Sequence, residues 1–321
     1  MPVAVCSAAL PFDVAAALRG VAEVRAPAAG RMSRAELLAA VRDADALISL
    51  LVDRVDEELL AAAPRLRVVA NCAVGYDNVD VAAATARGVA VTHTPDVLTD
   101  ATADFTWALL LAVARRVVEG DALVRSGTWA GWEPGQLLGA PIAGRTLGIV
   151  GFGRIGRAVA RRARGFDMAI LYASPRPAGA DAAALAARRV SLDELLAEAD
   201  VVSLHCPLTD ATRHLIDRRA LAAMKSTALL VNTARGACVD EAALVDALEA
   251  GDIAGAALDV FEREPDVHPG LVASPKVVLA PHAGSATTAA RAEMARLCAG
   301  AVRDVLSGRR PAHLLNPEAL R

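Results

Sequence analysis

The sequence predicts an α/β protein built from two parallel-sheet domains. Three observations carry that reading. Short apolar runs alternate with alanine-rich stretches of helical length, the pattern of βα units and parallel sheets. The chain has 321 residues, a length that favours two domains over one. Near its middle, Thr146-Leu147-Gly148-Ile149-Val150 opens a second run of βα units, directly ahead of a glycine-rich turn.

In the first hundred residues, strands are expected over 46–51, 66–70 and 89–92. A helix over 56–63 ends at Pro64. After Thr94-Pro95, residues 100–118 read as one long helix with Asp100 as N-cap and Phe105, Leu109, Ala112 and Val113 as its apolar face. A looser segment with Gly and Trp follows over 127–141. No fixed-period repeat and no low-complexity linker interrupts the chain.

Composition narrows the class. Hydrophobic residues make up 55%, yet charged residues and prolines break every apolar run. No stretch of about 18 uncharged apolar residues exists, so no membrane span is expected. The N-terminus, Met1-Pro2-Val3-Ala4-Val5-Cys6, lacks a basic region ahead of an apolar one, and a cytoplasmic protein is expected. A net charge of −3 with evenly spread basic residues argues against nucleic acid as a partner. The five cysteines form no CxxC pair and no zinc-type spacing with histidine. They read as reduced, buried small hydrophobes, and no metal site is expected.

The glycine turn is Gly151-Phe152-Gly153-Arg154-Ile155-Gly156, between a strand over 146–150 and a helix over 157–165. A second strand over 168–172 completes a unit of about thirty residues, the context in which GxGxxG is specific for a Rossmann-like dinucleotide site. The first glycine permits the tight turn, the second admits a pyrophosphate, and the third lets helix pack on strand. Free N–H groups at the helix N-terminus, with Arg154 and Ile155 in the loop leading into it, face the phosphates. An NAD site usually carries an acid at the end of the second strand, where it bonds the ribose 2′-hydroxyl. Here that place holds Ala173-Ser174-Pro175-Arg176. Ser174 and Arg176 suit a 2′-phosphate that a carboxylate would repel, so NADP(H) is expected in preference to NAD(H). The alternative is that Arg176 is an ordinary solvated charge.

Three further strands end in chemically useful residues: Arg235 after Leu229-Leu230-Val231-Asn232, Glu264 after Ala256-Ala257-Leu258-Asp259, and His282 after Val277-Val278-Leu279-Ala280-Pro281. Open α/β sheets bind ligands at that edge. The intervals of 29 and 18 positions between these residues resemble the D-isomer-specific 2-hydroxyacid dehydrogenase family. Asn71-Cys72-Ala73-Val74-Gly75-Tyr76-Asp77-Asn78-Val79-Asp80 and Leu204-His205-Cys206-Pro207-Leu208-Thr209 resemble it too. Residues 94–103 and Trp129-Ala130-Gly131-Trp132-Glu133-Pro134 resemble its glyoxylate/hydroxypyruvate reductase branch. The resemblance covers nearly the whole chain.

That resemblance implies the NADPH-dependent reduction of a small 2-oxo acid. His282 would be the general acid, Glu264 its partner, and Arg235 the group that binds substrate. Ser174, Pro175, Arg176, Cys206, Pro207, Thr233, Ala234, Arg235, Asp259, His282 and Gly284 would join the glycine turn around the cofactor. Leu51, Val74, Gly75 and Trp132 would complete the substrate pocket; for Trp132, plain core packing stands as the alternative. The resemblance also implies a discontinuous substrate domain, residues 1–99 with 285–321, around a nucleotide domain of residues 100–284. The active site would lie in the cleft between them, and a homodimer would form through the long helix after residue 99. Another 2-hydroxyacid substrate, of phosphoglycerate or lactate type, remains open. So does a dinucleotide-sensing protein of corepressor type.

Overall fold

The computed structural model describes residues 1–320. The chain forms two compact units: Met1–Leu98 together with the segment from Ala286 onward, and Thr99–Ser285. Both are built on wholly parallel sheets, so the class read from the sequence is the one observed.

The first unit has strands β1 (Val3–Cys6), β2 (Glu23–Arg25), β3 (Ala46–Ser49), β4 (Val68–Asn71) and β5 (Ala90–Thr92), in the order β2-β1-β3-β4-β5. Every residue of β1, β3, β4 and β5 is buried. Parallel strands covered on both faces require such continuous apolar runs. Val5, Leu47, Val69 and Val91 pack with Leu37 and Leu59 from the intervening helices. The helix Thr288–Leu306 returns onto β3 and β4 and buries Met294, Cys298 and Val302. Beyond it, the buried Asn316 accepts from Val91 N at 2.7 Å and donates to Val89 O at 2.9 Å, tying the tail to the edge strand.

The second unit has seven strands: β6 (Thr146–Val150), β7 (Ala169–Ala173), β8 (Arg188–Arg189), β9 (Val201–Leu204), β10 (Leu229–Asn232), β11 (Gly255–Leu258) and β12 (Val277–Leu279). Their order is β12-β11-β10-β9-β6-β7-β8. The winding reverses between β6 and β9, which makes the loops after those two strands the switch point where such sheets bind ligands. One face of the sheet buries Leu195, Leu204, Ile216 and Leu244; the other buries Ile149, Val159 and Trp107.

The long helix differs from the expectation. It runs Thr99–Ala114, and a separate helix follows over Val117–Arg125. Asp100 lies inside the first turn rather than capping it, and its carboxylate accepts from Arg162 Nη2 at 3.1 Å. The break has a long-range cause. Ala140 N donates to Ala114 O at 2.8 Å, and Gly139 approaches that carbonyl so closely that a Cβ would overlap it. Arg116 then takes a left-handed conformation, φ 53°, and binds both carboxylate oxygens of Glu119 through Nε and Nη2. The buried face is also wider than expected. It includes Ala103, Thr106, Trp107 and Leu110 beside Leu109, whereas Phe105, Ala112 and Val113 are half-buried.

Among the described residues, no helix is long and apolar enough to cross a membrane, and no cluster of His, Cys, Asp or Glu is arranged to hold a metal ion. All five cysteines are buried free thiols.

Leu147 lies in β6 with no exposed surface. Truncating it to alanine should cost about 2–5 kcal/mol, read as a lower urea midpoint with an unchanged slope. A loss well under about 1 kcal/mol would contradict its place in the core.

Candidate active site

The glycine turn is built as its sequence requires. Gly151 has φ +92°, and a Cβ there would lie 2.6 Å from Cys206 N, so the loops after β6 and β9 touch at this point. A Cβ on Gly156 would overlap Gly151 O. Gly153 is different: nothing lies within 4 Å of where its Cβ would be. It caps the helix Arg154–Ala163 without a side-chain hydrogen bond. Two glycines are thus closed by protein, while the middle one opens onto space beside uncapped helical N–H groups. Those groups carry the positive end of the helix dipole.

At the far end of this unit, β7 runs into Ser174, Pro175 and Arg176. No carboxylate stands there, and Arg176 makes no ion pair among the described residues. Arg189, which the sequence reading omitted, reaches across from β8. Its Nη2 donates to Ser174 O and to Pro175 O, both at 3.0 Å. A two-residue exposed strand leaves no periodic pattern, so the contact had no sequence signal.

Arg235, Glu264 and His282 follow β10, β11 and β12, neighbours in the sheet. The row continues past the strand ends: Asp259 N donates to Asn232 O at 2.9 Å, and His282 N donates to Asp259 O at 2.8 Å. His282 Nδ1 meets Glu264 Oε2 at 2.8 Å, with both side chains about one-quarter exposed. Glu264 Oε1 accepts from Phe261 N at 3.1 Å. Burial pushes the Glu264 carboxyl upward. The hydrogen bond and charge of His282, the Phe261 N–H and the Arg235 guanidinium outweigh that and hold it below its ordinary range.

The backbones around these residues interlock. Asn232 Oδ1 accepts from Ala234 N at 3.0 Å, and its Nδ2 donates to Arg235 O at 2.9 Å. Arg235 Nη1 donates to Ala234 O at 2.8 Å. A Cβ on Gly236 would overlap the carbonyl of Phe261, so the Arg235 turn lies directly on the segment leading to Glu264. Asp259 is buried and accepts from Ala283 N at 2.7 Å and Gly284 N at 2.8 Å. Burial raises its carboxyl above the usual range against the pull of those two N–H groups. It clamps the turn on which His282 takes φ +55°.

The other residues singled out from the sequence are distributed as follows. Cys206 faces Cys238, sulfur to sulfur, at 3.9 Å, and Pro207 follows it in the loop after β9. Thr106 donates to Thr102 O, so Thr233 must donate the 2.8 Å bond between the two threonine hydroxyls. Trp132 is 80% exposed. Leu51, Val74 and Gly75 belong to the first unit, in the loops after β3 and β4. There Ala73 N donates to Asn71 O at 2.8 Å, whereas the N–H groups of Val74 and Gly75 have no acceptor among the described residues.

Residues 107–284 match the family model described as D-isomer specific 2-hydroxyacid dehydrogenase, NAD binding domain. The chain is 54% identical over 293 residues to a glyoxylate reductase of Thermococcus onnurineus, covering 90% of this chain and 88% of that one. A Thermus thermophilus protein of solved structure is 47% identical, with a TM-score of 0.91 over 98% of this chain and 99% of that one. An NADPH-dependent glyoxylate/hydroxypyruvate reductase from Sinorhizobium meliloti, solved with NADP and malonate, is 34% identical. Its TM-score is 0.89, over 99% of this chain and 97% of that one.

The Glu264 carboxyl sits below the 4.5 of the free residue in the folded state. Its stabilising contribution is therefore whole above that value and is lost as pH falls through the folded pKa. The gap in unfolding free energy between wild type and Glu264→Gln should be whole above the free value of 4.5 and should narrow as pH falls below it. Urea titrations across that range check it. A gap that persists in full at the acid end would refute the charge-based pairing.

Proposed function

The chain belongs to the D-isomer specific 2-hydroxyacid dehydrogenase family of NAD(P)-dependent oxidoreductases, and from that premise we propose that it reduces glyoxylate or hydroxypyruvate with NADPH. The observation that carries the proposal is the 2.8 Å contact of His282 with Glu264 beside the Arg235 charge. The names of the Thermococcus onnurineus and Sinorhizobium meliloti relatives support the substrate class.

The residues present fit a dinucleotide. The open space over Gly153 and the uncapped helix behind it suit a pyrophosphate. Arg154 and Ile155 form the first turn of that helix. Ser174 and the unpaired Arg176 suit a 2′-phosphate, which is why NADP(H) is preferred over NAD(H) in this reading. The loop of Cys206 and Pro207, with Thr233, Ala234, Asp259 and Gly284, would border the nicotinamide end. When bound, the cofactor supplies a hydride to C2 of the 2-oxo acid.

The protein's own groups do the rest. Glu264, held as a carboxylate, accepts from His282 Nδ1 and leaves Nε2 as the free ring nitrogen. The imidazolium gives its Nε2 proton to the carbonyl oxygen as negative charge develops there, and the carbonyl becomes a hydroxyl. General acid catalysis of this kind contributes about 10²–10⁴-fold. The Arg235 fork binds the substrate carboxylate and carbonyl. Within the first unit, the N–H groups of Val74 and Gly75, which have no acceptor among the described residues, are suited to a carboxylate.

The assembly proposed is a homodimer. The helix Val117–Arg125 buries none of its residues within the chain. Val117, Val118, Val124 and Leu138 are each more than half exposed. Exposed apolar side chains concentrated on one helix and the segment after it suit an association surface. Light scattering should give twice the mass of one chain, and a single-chain mass at micromolar concentration would refute it.

His282→Ala should lower turnover by about 10²–10⁴-fold while NADPH binding, read by fluorescence titration, changes little. Near-normal turnover would refute the proton-donor role. Initial rates with glyoxylate, hydroxypyruvate, pyruvate and 3-phosphohydroxypyruvate, each with NADPH and NADH, test the substrate class. Dominance of either of the last two substrates would overturn it.

A further inference from the structure

Arg189 sits on β8 opposite Tyr172 of β7, one residue short of the end of β7. From that register its guanidinium reaches past the strand end to the next two backbone carbonyls. Nη2 donates to Ser174 O and Pro175 O at 3.0 Å, and Nε donates to Ser174 O at 3.3 Å. These partners are dipoles without formal charge, so the guanidinium keeps its full positive charge.

Nearby arginines differ. Arg188 is paired with Glu194 at 2.9 Å and with Glu198 at 2.5 Å. Arg157 is paired with Asp181. Arg176 and Arg189 have no carboxylate partner among the described residues. Two uncancelled cations therefore flank one short loop. The carbonyl oxygens of that loop, which would repel an anion, are drawn onto one of them. A guanidinium presents a rigid fork of donors and is weakly hydrated, so it can bridge two carbonyls and still attract a phosphate.

We propose that Arg189 is a specificity-determining residue for the cofactor. It fixes the backbone of Ser174 and Pro175 and supplies, with Arg176, the second positive charge facing a 2′-phosphate on adenosine. This rests on the reading of residues 174–176 as the ribose end of an NADP site. A dianionic phosphate gains from both charges, whereas a neutral 2′-hydroxyl gains from neither. The contribution is therefore selective, and salt weakens it because the side chain is exposed.

Calorimetric titration of the full-length protein with adenosine 2′,5′-bisphosphate and with ADP tests it, in wild type, Arg176→Ala, Arg189→Ala and Arg189→Lys. Wild type should bind the bisphosphate more tightly. Arg189→Ala should weaken the bisphosphate about tenfold and ADP less than about twofold. Arg189→Lys, which keeps the charge, should recover part of the loss. The NADPH to NADH ratio of kcat/KM should fall in parallel, through KM for NADPH.

An equal loss for both ligands would reduce Arg189 to a loop brace and overturn the proposal, as would no loss at all. The same holds if lysine behaves as alanine does. A wild type without preference for the bisphosphate would overturn the NADP reading itself. A preference abolished in Arg176→Ala but intact in Arg189→Ala would overturn only the assignment of Arg189.

Discussion

Glu264 and His282 come from different strand ends, and the 2.8 Å between Oε2 and Nδ1 depends on how those ends are fixed. Three backbone constraints do this. The ladder continues beyond the strands through Asn232 O, Asp259 and His282 N. Asp259 clamps the N–H groups of Ala283 and Gly284 and so sets the turn that carries the imidazole. Gly236, lying on the Phe261 carbonyl, sets the spacing between the Arg235 turn and the segment leading to Glu264. Rotamers of long side chains are costly to restrict. Here they are restricted mainly by fixing the backbone from which they project.

The same economy of close backbone contact appears at the switch point. Gly151 brings the loop after β6 against the loop after β9, and Gly156 brings the following helix onto the turn. That helix is then held from outside. Trp107 stacks on Phe166 with ring centroids 4.6 Å apart and donates to Val159 O at 3.1 Å, while Asp104 accepts from Arg162 at 2.6 Å. The helix Thr99–Ala114 therefore supports the glycine turn through Trp107. Through Thr106 it also supports Thr233, next to the Arg235 turn. One helix braces two parts of the site because it crosses behind β10 and β11.

How much of this was legible in the sequence follows from what kind of signal each feature leaves. The buried strands β3, β4, β6, β10 and β11 were visible because a parallel strand covered on both faces must be apolar throughout. The glycine turn was visible because each glycine has its own steric reason. The three residues at the strand ends were visible through position and through likeness to a known family. The break at Arg115 and Arg116 was not visible. It is imposed by Gly139 and Ala140 returning to the carbonyl of Ala114, and nothing in the local pattern records a partner twenty-five positions away. Arg189 was missed for a related reason. Its strand is two residues long and solvent-exposed, so neither period nor burial marked it.

By itself the sequence determined the fold class, the glycine cradle and the identity of the three polar groups, because each rests on local periodicity, local sterics or residue chemistry. Only the tertiary structure decided which carboxylate oxygen meets which imidazole nitrogen, and where the long helix stops. It likewise decided which arginines near the loop after β7 have no carboxylate partner among the described residues. These depend on pairs of residues far apart in the chain, and charge or hydrogen-bond partnership is a property of distance in space, which the order of residues does not encode directly.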